Sequence, residues 1–420
     1  MRRIKPIKDI HAAVRVPGSK SYTQRALIAA ALAKGQSSIR EALISEDTEH
    51  LMNALSLLGA TLRREGCEVA VQGTSGTLTT PSEVIYLGNN GTGLRLLTGA
   101  VCLGQGTFVL DGNSRMRQRP IQALVDALKG VGGEAVCVEG NGCPPVQVRA
   151  RGLAGGKTSL AGGLSSQYLS ALLLAAPYAK RDTEIEVRGS LPSRPYVQMT
   201  LDVMARFGVE VLAPHDHSFF IKAPQAYRSR EYVVEGDASS ATYFMAAAAI
   251  SGGTVRISNI YPGSVQGDLR FSEVLESMGC GVTTSGQGVE ITGPLRHHGD
   301  LSLDLHDVPD MVPALAVVSA FRKGKTILKN IGHLRVKESD RIAALTSELR
   351  KIGAKAEEKA DEMVIQGVAT QGAEIECYSD HRIAMSFAVA GLAIEGVVIK
   401  DPDCVKKSFP DFWEKLESLS

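Results

Sequence analysis

The chain has 420 residues, 44% of them hydrophobic and 22% charged, with a formal net charge of +1. That length asks for two or three domains rather than one core, and the composition excludes a disordered or fibrous chain. Near-neutral charge supplies no global field for nucleic acid or an anionic membrane, so neither is expected as a partner and any anion site has to be local.

In chain order, MRRIKPIKDI is basic but lacks the apolar core of a secretory signal. IKDIHAAVRVPG reads as β structure. GSKSYTQRALIAAALAKG from Gly18 then opens a series of six similar segments. The others are GNNGTGLRLLTGAVCLG from Gly88, GLSSQYLSALLLAAPYAK from Gly163, GDASSATYFMAAAAISGG from Gly236, HDVPDMVPALAVVSAFRKG from His306 and SDHRIAMSFAVAGLAIEG from Ser379. They begin 70 to 75 residues apart, the mark of a repeated supersecondary unit. Each has a small or polar cluster and then a stretch apolar nearly all round, which predicts a buried helix. None is long enough to span a membrane.

The remainder of each unit repeats as well. LMNALSLLGATLRREGCEVAVQG, TLDVMARFGVEVLAPHDHSFFIKA, LRFSEVLESMGCGVTTSGQGVEITG and DRIAALTSELRKIGAKAEEKADEMVIQG predict an amphipathic helix closed by Gly, then two short strands around a polar turn. PIQALVDALKGVGGEAVCVEG follows the same plan, with Pro120 at the first helical position. The sixth unit stops without its strands, and IKDIHAAVRVPG is the expected replacement. The expected architecture is therefore α/β, with three units in each of two similar domains. Residues 1–17 and 235–420 form one, residues 18–234 are inserted, and a hinge lies near 17–18 and 234–236.

Seven scattered cysteines without a CxxC pair fit a reducing cytosol and argue against a disulfide framework or a structural zinc site. No metal-ligand spacing, P-loop, GxGxxG or GxSxG motif is present, so no metal or cofactor is expected.

Chemistry collects where the buried helices begin. A helix N-terminus carries about half a positive charge and disfavours cations, yet Lys20, Arg25, Arg95 and Arg382 stand there. The alternation in RMRQRP places Arg115, Arg117 and Arg119 on one face of an extended segment. If helical, RVKESDR sets Lys337 and Arg341 on one face, where like charges repel. Each cation alone reads as solvated surface; the clusters together read as anion binding, because local rules fail at functional sites. Asp237 and Asp310 read most simply as caps or first-turn acids, Glu338 as a surface ion-pair partner, and His381 as structural or a catalytic acid. The implied ligand is a small, strongly anionic, phosphorylated molecule, or two of them.

PGSKSYTQR, LGNNGTGLR, RMRQRP, GLSSQYLSALL, SRPY, EGDASSA, VPDMVPALA, RVKESDR, SDHRIAM and KKSFPDFW resemble, in order and spacing, the bacterial 5-enolpyruvylshikimate-3-phosphate synthases, from about residue 10 to the end. The resemblance implies an enolpyruvyl-transferase fold, the inverse α/β barrel, in which each domain has three βαβαββ repeats of buried parallel helices walled by sheets. It implies transfer of the enolpyruvyl group of phosphoenolpyruvate to the 5-hydroxyl of shikimate 3-phosphate, in a cytoplasmic monomer. It implies that shikimate 3-phosphate is held by Lys20, Ser21, Arg25, Ser165, Ser166, Gln167, Ser193, Tyr196, Asp310, His333 and Lys337. Phosphoenolpyruvate falls to Lys20, Gly91, Arg119, Gln167, Arg341, Arg382 and Lys407. Asp310 becomes the base, Glu338 the acid, and Lys20 an assistant.

Two such substrates together carry roughly −5 to −6, and unit charges ~6 Å apart at an effective dielectric of ~20 repel by about 3 kcal/mol. Seven cations are therefore reasonable, and the expected form without substrate is open, closing on ligand. The family often has Asn where this chain has His333, and Asn90, Gly93 and Leu96 replace its common Ala, Ala and Pro. Gly91 and SSQYL are the forms usual in members sensitive to glyphosate. Two rivals remain: the related transferase acting on UDP-N-acetylglucosamine, whose usual loop cysteine is missing from DGNSRMRQRP, and a non-catalytic repeat protein that binds anions.

Overall fold

Among the described residues, six largely apolar helices are buried, and six amphipathic ones accompany them. The computed structural model describes residues 1–163 and 165–420; Leu164, in the third repeated segment, lies outside them. The chain falls into two compact units, Met1–Pro17 with Glu235–Ser420, and Gly18–Val234.

The inserted unit contains α1 (Lys20–Leu32), α2 (Glu46–Leu57), α3 (Gly91–Ala100), α4 (Gln122–Gly130), α5 (Ser166–Ala175) and α6 (Arg194–Arg206). The unit with both chain ends contains α7 (Ala238–Ser251), α8 (Arg270–Ser277), α9 (Val312–Ser319), α10 (Arg341–Lys351), α11 (His381–Ala393) and α12 (Phe412–Glu417). Helix α7 buries every residue from Ala238 to Ala249, as an all-round apolar helix must. Helix α2 buries Asp47, Thr48, Leu51, Ala54 and Leu55, one stripe at helical spacing. Small residues let the interior helices approach closely. A Cβ on Gly99 of α3 would lie 2.4 Å from the carbonyl oxygen of Ala171 in α5, so any larger residue there forces the two apart. Among the described residues no helix is long and apolar enough to cross a membrane.

Among the described residues each unit builds three sheets, and five of the six share one pattern. In the first, Glu231–Val233 runs parallel to Gln36–Arg40, which pairs antiparallel with Glu68–Gln72, which pairs antiparallel with Thr61–Glu65. Glu68–Gln72 buries Val69 and Val71, the two-residue period of a half-buried strand. The order recurs from Ile85–Tyr86, from Gly156–Ala161, from Ile10–Val14 and from Leu301–Asp304.

The sixth sheet is cut short. Glu374–Ile375 runs parallel to Val398–Ile399, and Arg2–Arg3 pairs antiparallel with the latter. The expectation that residues 7–18 fill this gap needs correcting. Ile10–Val14 joins Gly253–Ile257 in the fourth unit's sheet, and only the first residues of the chain reach the sixth. Helix α4 also begins later than Pro120 suggests. Ile121 is its N-cap, and Gln122 its first residue.

Candidate functional site

Each unit gathers its polar side chains at the N-terminal ends of its buried helices. In the inserted unit Ser19, Asn90 and Ser165 cap α1, α3 and α5 by accepting from the backbone N–H groups of Tyr22, Gly93 and Gln167. Capping brings three positive helix ends into one unit. Lys20 opens α1 and pairs its Nζ with Asp47 Oδ2 at 3.1 Å. Asn90 Nδ2 donates to the Asp47 carbonyl at 2.6 Å, so α2 is tied to both neighbouring helix starts.

Arg25 lies one turn deeper and is fully buried. It donates to Thr200 Oγ1 at 2.7 Å, to the carbonyls of Ser21 at 3.0 Å and Tyr196 at 3.1 Å, and to Ser170 Oγ at 3.4 Å. No carboxylate is among those partners, and burial brings its pKa down to about 10. Ser193 adopts φ +61° at the N-cap of α6, and its carbonyl accepts from Tyr196 N–H at 3.1 Å. Ser21, Arg25, Ser193 and Tyr196 thus meet.

Arg119 donates from Nη1 to the Asn89 carbonyl at 3.0 Å and to Asn89 Oδ1 at 3.1 Å. Gly91 makes room for it, since a Cβ there would lie 2.6 Å from the guanidinium carbon. Gln167 accepts from Arg95 Nη1 at 2.7 Å and donates to Thr92 Oγ1 at 2.9 Å. Ser165 and Ser166 stand beside it at the head of α5. The shared face expected of Arg115, Arg117 and Arg119 does not exist. Met116–Gln118 is a 3-10 turn, which sends Arg117 to Asp111, Arg115 to Gln118, and Arg119 inward.

The other unit centres on Arg341, the first residue of α10, with 1% of its side chain exposed. Its guanidinium meets three carboxylates: Asp380 Oδ2 at 2.8 Å, Glu338 Oε2 at 2.8 Å and Asp310 Oδ1 at 3.2 Å. Burial opposes its charge, but Asp380, Glu338 and Asp310 more than compensate and raise its pKa. Arg382 donates from Nη2 to Asp310 Oδ2 at 2.8 Å and from Nη1 to Tyr243 OH at 3.4 Å. Asp380 also caps α11 through Arg382 N–H at 3.0 Å, and accepts from Ser339 Oγ at 3.0 Å. Asp310, Glu338, Arg341 and Arg382 are thus one bonded network, with Asp310 20% exposed at its edge.

Lys337 and Arg341 do not share a helical face. Lys337 is extended at the end of the 3-10 turn Gly332–Val336, and the helix starts only at Arg341. Asp237 caps α7, accepting from Ser240 N–H at 2.7 Å. Asp310 is not a cap; it sits in the 3-10 turn Pro309–Met311 leading into α9. Glu338 is no surface pair, being nearly buried. His381 is fully buried, which leaves the structural reading. His333 packs edge-on to His306, with its Nε2 buried and bonded to nothing among the described residues. Burial, then Lys337 and His306, push its pKa down to about 3. Lys407 ends the 3-10 turn Pro402–Lys407 and is buried.

Several members were missed by sequence reasoning. Asp47 and Asp380 look like ordinary acids at helix starts. Gln24 is a buried amide with neither polar atom bonded among the described residues. Its signal is an amide in the second turn of a buried helix. Asp268 lies in the 3-10 turn Gly267–Leu269 and bonds Ser239 Oγ. Burial and then Asp310 raise its pKa to about 7.

The sequence model described as EPSP synthase (3-phosphoshikimate 1-carboxyvinyltransferase) matches residues 4–416. A 3-phosphoshikimate 1-carboxyvinyltransferase of Sulfurovum sp. is 46% identical, over 99% of this chain and 98% of its own. A chloroplastic one of Brassica napus is 44% identical, over 99% of this chain and 84% of its own. Among solved structures, an EPSP synthase of Acinetobacter baumannii superposes with a TM-score of 0.82 at 27% identity, covering 100% of this chain and 97% of its own.

Proposed function

Because the chain belongs to the EPSP synthase family, and so transfers the enolpyruvyl group of phosphoenolpyruvate to the 5-hydroxyl of shikimate 3-phosphate and releases phosphate, we propose the following division of labour among its residues. Ser21, Arg25, Ser193 and Tyr196 take shikimate 3-phosphate, with Ser165, Ser166, Gln167, His333 and Lys337. Arg25 suits this role because it is held by neutral groups alone and keeps its full charge for an anion. Lys20, Gly91, Arg119, Gln167, Arg341, Arg382 and Lys407 take phosphoenolpyruvate.

The observation that carries the reading is the Asp310 carboxylate between two guanidinium groups, Arg341 at 3.2 Å and Arg382 at 2.8 Å. Paired in this way Asp310 is a weak base. An arriving phosphate and carboxylate compete for both arginines. Asp310 then becomes more basic and takes the 5-hydroxyl proton as the oxygen attacks C2 of phosphoenolpyruvate. The methylene carbon gains a proton from Glu338, with Lys20 assisting, and a tetrahedral adduct forms. Arg341 pairs with Glu338 at 2.8 Å, so Glu338 is available to the methylene carbon only once that guanidinium turns to the substrate. Elimination returns a methyl proton, expels phosphate, and leaves the enol ether. We propose that this occurs in the cytoplasm, in a monomer.

Neither rival is favoured by a specific observation. Phosphate release from phosphoenolpyruvate, run in parallel with shikimate 3-phosphate and with UDP-N-acetylglucosamine, tests the reading. Release should occur only with the former, and Asp310→Asn should slow it by about 100-fold or more while phosphoenolpyruvate still binds. Full turnover by that variant would remove Asp310 from the mechanism.

A further inference from the structure

Every polar group of Asn90 is bonded, although the residue is fully buried. Its N–H donates to the Leu87 carbonyl at 2.9 Å, and its carbonyl accepts from Leu94 N–H at 3.0 Å. Its Oδ1 accepts from Gly93 N–H at 2.8 Å, and its Nδ2 donates to the Asp47 carbonyl at 2.6 Å. Capping α3 needs only the oxygen. The amide nitrogen is a second device, a tether from the start of α3 to α2.

Both ends of that tether adjoin groups assigned above to phosphoenolpyruvate. On the α2 side, the Asp47 carboxylate pairs with Lys20 at 3.1 Å. On the α3 side, Asn89 precedes the tether and accepts from Arg119 Nη1, through its carbonyl at 3.0 Å and its Oδ1 at 3.1 Å. Gly91 follows it. One amide thus sets the register between the turn that holds Arg119 and the residue that holds Lys20.

The amide has its seat because residue 93 lacks a side chain. A Cβ on Gly93 would lie 2.5 Å from Asn90 Nδ2 and 3.0 Å from its Cγ. Gly93 has no left-handed φ, so its backbone does not require glycine, and alanine is the better helix former. The same point lies 3.2 Å from Gln24 Oε1. Gln24 is fully buried, and neither of its amide atoms is bonded among the described residues. A buried amide in that condition is a ready partner for a neighbouring amide that shifts. Displaced from its seat, the Asn90 side chain would be held by Gln24 instead of returning to Asp47.

We propose that Asn90 is a positioning residue for phosphoenolpyruvate, whose amide ties the turn that holds Arg119 to the residue that holds Lys20, and that Gly93 is glycine in order to seat it. The positioning role rests on the ligand assignment above; the seat rests on geometry alone.

The test uses the full chain, with phosphate release measured as each substrate is varied and with melting temperatures taken in parallel. Gly93→Ala should raise the KM for phosphoenolpyruvate roughly 2- to 12-fold, as loss of one neutral hydrogen bond does, and leave the KM for shikimate 3-phosphate and kcat nearly constant. In an Asn90→Ala background the same substitution should add nothing, because the amide that it displaces is gone. Asn90→Ser keeps a capping oxygen, and with it the melting temperature, but cannot reach Asp47, so its KM for phosphoenolpyruvate should rise as in Gly93→Ala. Equal rises from Gly93→Ala in both backgrounds would overturn the pairing of Asn90 with Gly93. An unchanged KM in Asn90→Ser would reduce Asn90 to a cap and overturn its positioning role. Protein without enolpyruvyl transfer would refute the functional reading instead. Melting temperature would then decide the seat: Gly93→Ala should lower it beside Asn90 and raise it in Asn90→Ala, and a shift of one sign in both would overturn the seat.

Discussion

Gly91→Ala tests the assignment of Arg119 to phosphoenolpyruvate with the smallest available change. A Cβ at this position would lie 2.6 Å from the Arg119 guanidinium carbon, 2.7 Å from Nη2 and 2.8 Å from Nη1. Ordinary contact begins near 3.4 Å, so the guanidinium must retreat by ~0.7 Å. It is the far end of a flexible side chain, and Gly91 opens α3 without a left-handed φ. Alanine therefore fits the helix, and stability should change by less than ~0.5 kcal/mol. The displaced group loses its register with Asn89 and with any anion that it holds. One charged hydrogen bond contributes about 1.5–3 kcal/mol, which is about 10- to 150-fold in KM. Steady-state phosphate release with each substrate varied in turn reads this directly. The KM for phosphoenolpyruvate should rise by that factor while the KM for shikimate 3-phosphate and the melting temperature stay nearly constant. An unchanged KM for phosphoenolpyruvate would refute the role of Arg119; a parallel rise in both values would mean that the head of α3 had been disrupted as a whole.

Asp310→Asn keeps the shape of the side chain but removes its basicity, and kcat should fall about 100- to 10,000-fold; a loss below tenfold would assign the base elsewhere. Glyphosate should inhibit in competition with phosphoenolpyruvate, because Gly91 and the Ser165–Ser166–Gln167 turn are retained; an inhibition curve flat into the millimolar range would contradict this. His333, whose folded-state pKa is pushed down to about 3, refuses a proton that the unfolded chain accepts below about pH 6.5. Stability should therefore be lost as the pH falls from about 6.5 toward 3, and His333→Asn should flatten the melting-temperature curve in that window; parallel curves would remove His333 from the acid sensitivity.

The repeat was readable because glycine punctuation and all-round apolar stretches are local signals that recur. Gly35, Gly59, Gly208 and Gly353 adopt the positive φ that closes a helical segment or turn, and the helices between such points are those the apolar stretches mark. Strand partnership was not readable. Ile10–Val14 and Arg2–Arg3 are both short, and which sheet each joins is decided by residues some 240 to 400 positions away. Nor could alternation in RMRQRP separate an extended segment from a 3-10 turn. Asp111 settles that by capturing Arg117.

The cations of the site were legible as violations of helix electrostatics, and the structure shows how each violation is tolerated. Lys20 at the head of α1 has Asp47, and Arg341 at the head of α10 has Asp380, Glu338 and Asp310. Asp47 and Asp380 escaped notice because each obeys the rule that the cations break. An acid near a helix start is what the dipole favours, and Asp380 does cap α11 while also holding Arg341. One carboxylate therefore satisfies a helix end and stores a substrate-binding guanidinium in place. Removing it should cost more than either role alone, because Arg341 would keep its burial while losing one of its two closest counter-charges. Asp380→Asn preserves the cap, since the amide oxygen still accepts from Arg382 N–H, but removes the charge and puts an NH2 donor where Oδ2 accepts from Arg341 Nε and Ser339 Oγ. The KM for phosphoenolpyruvate should then rise with little loss of helix α11. Loss of fold in Asp380→Asn would instead make the Arg341–Asp380 pair a structural element that substrate binding merely borders.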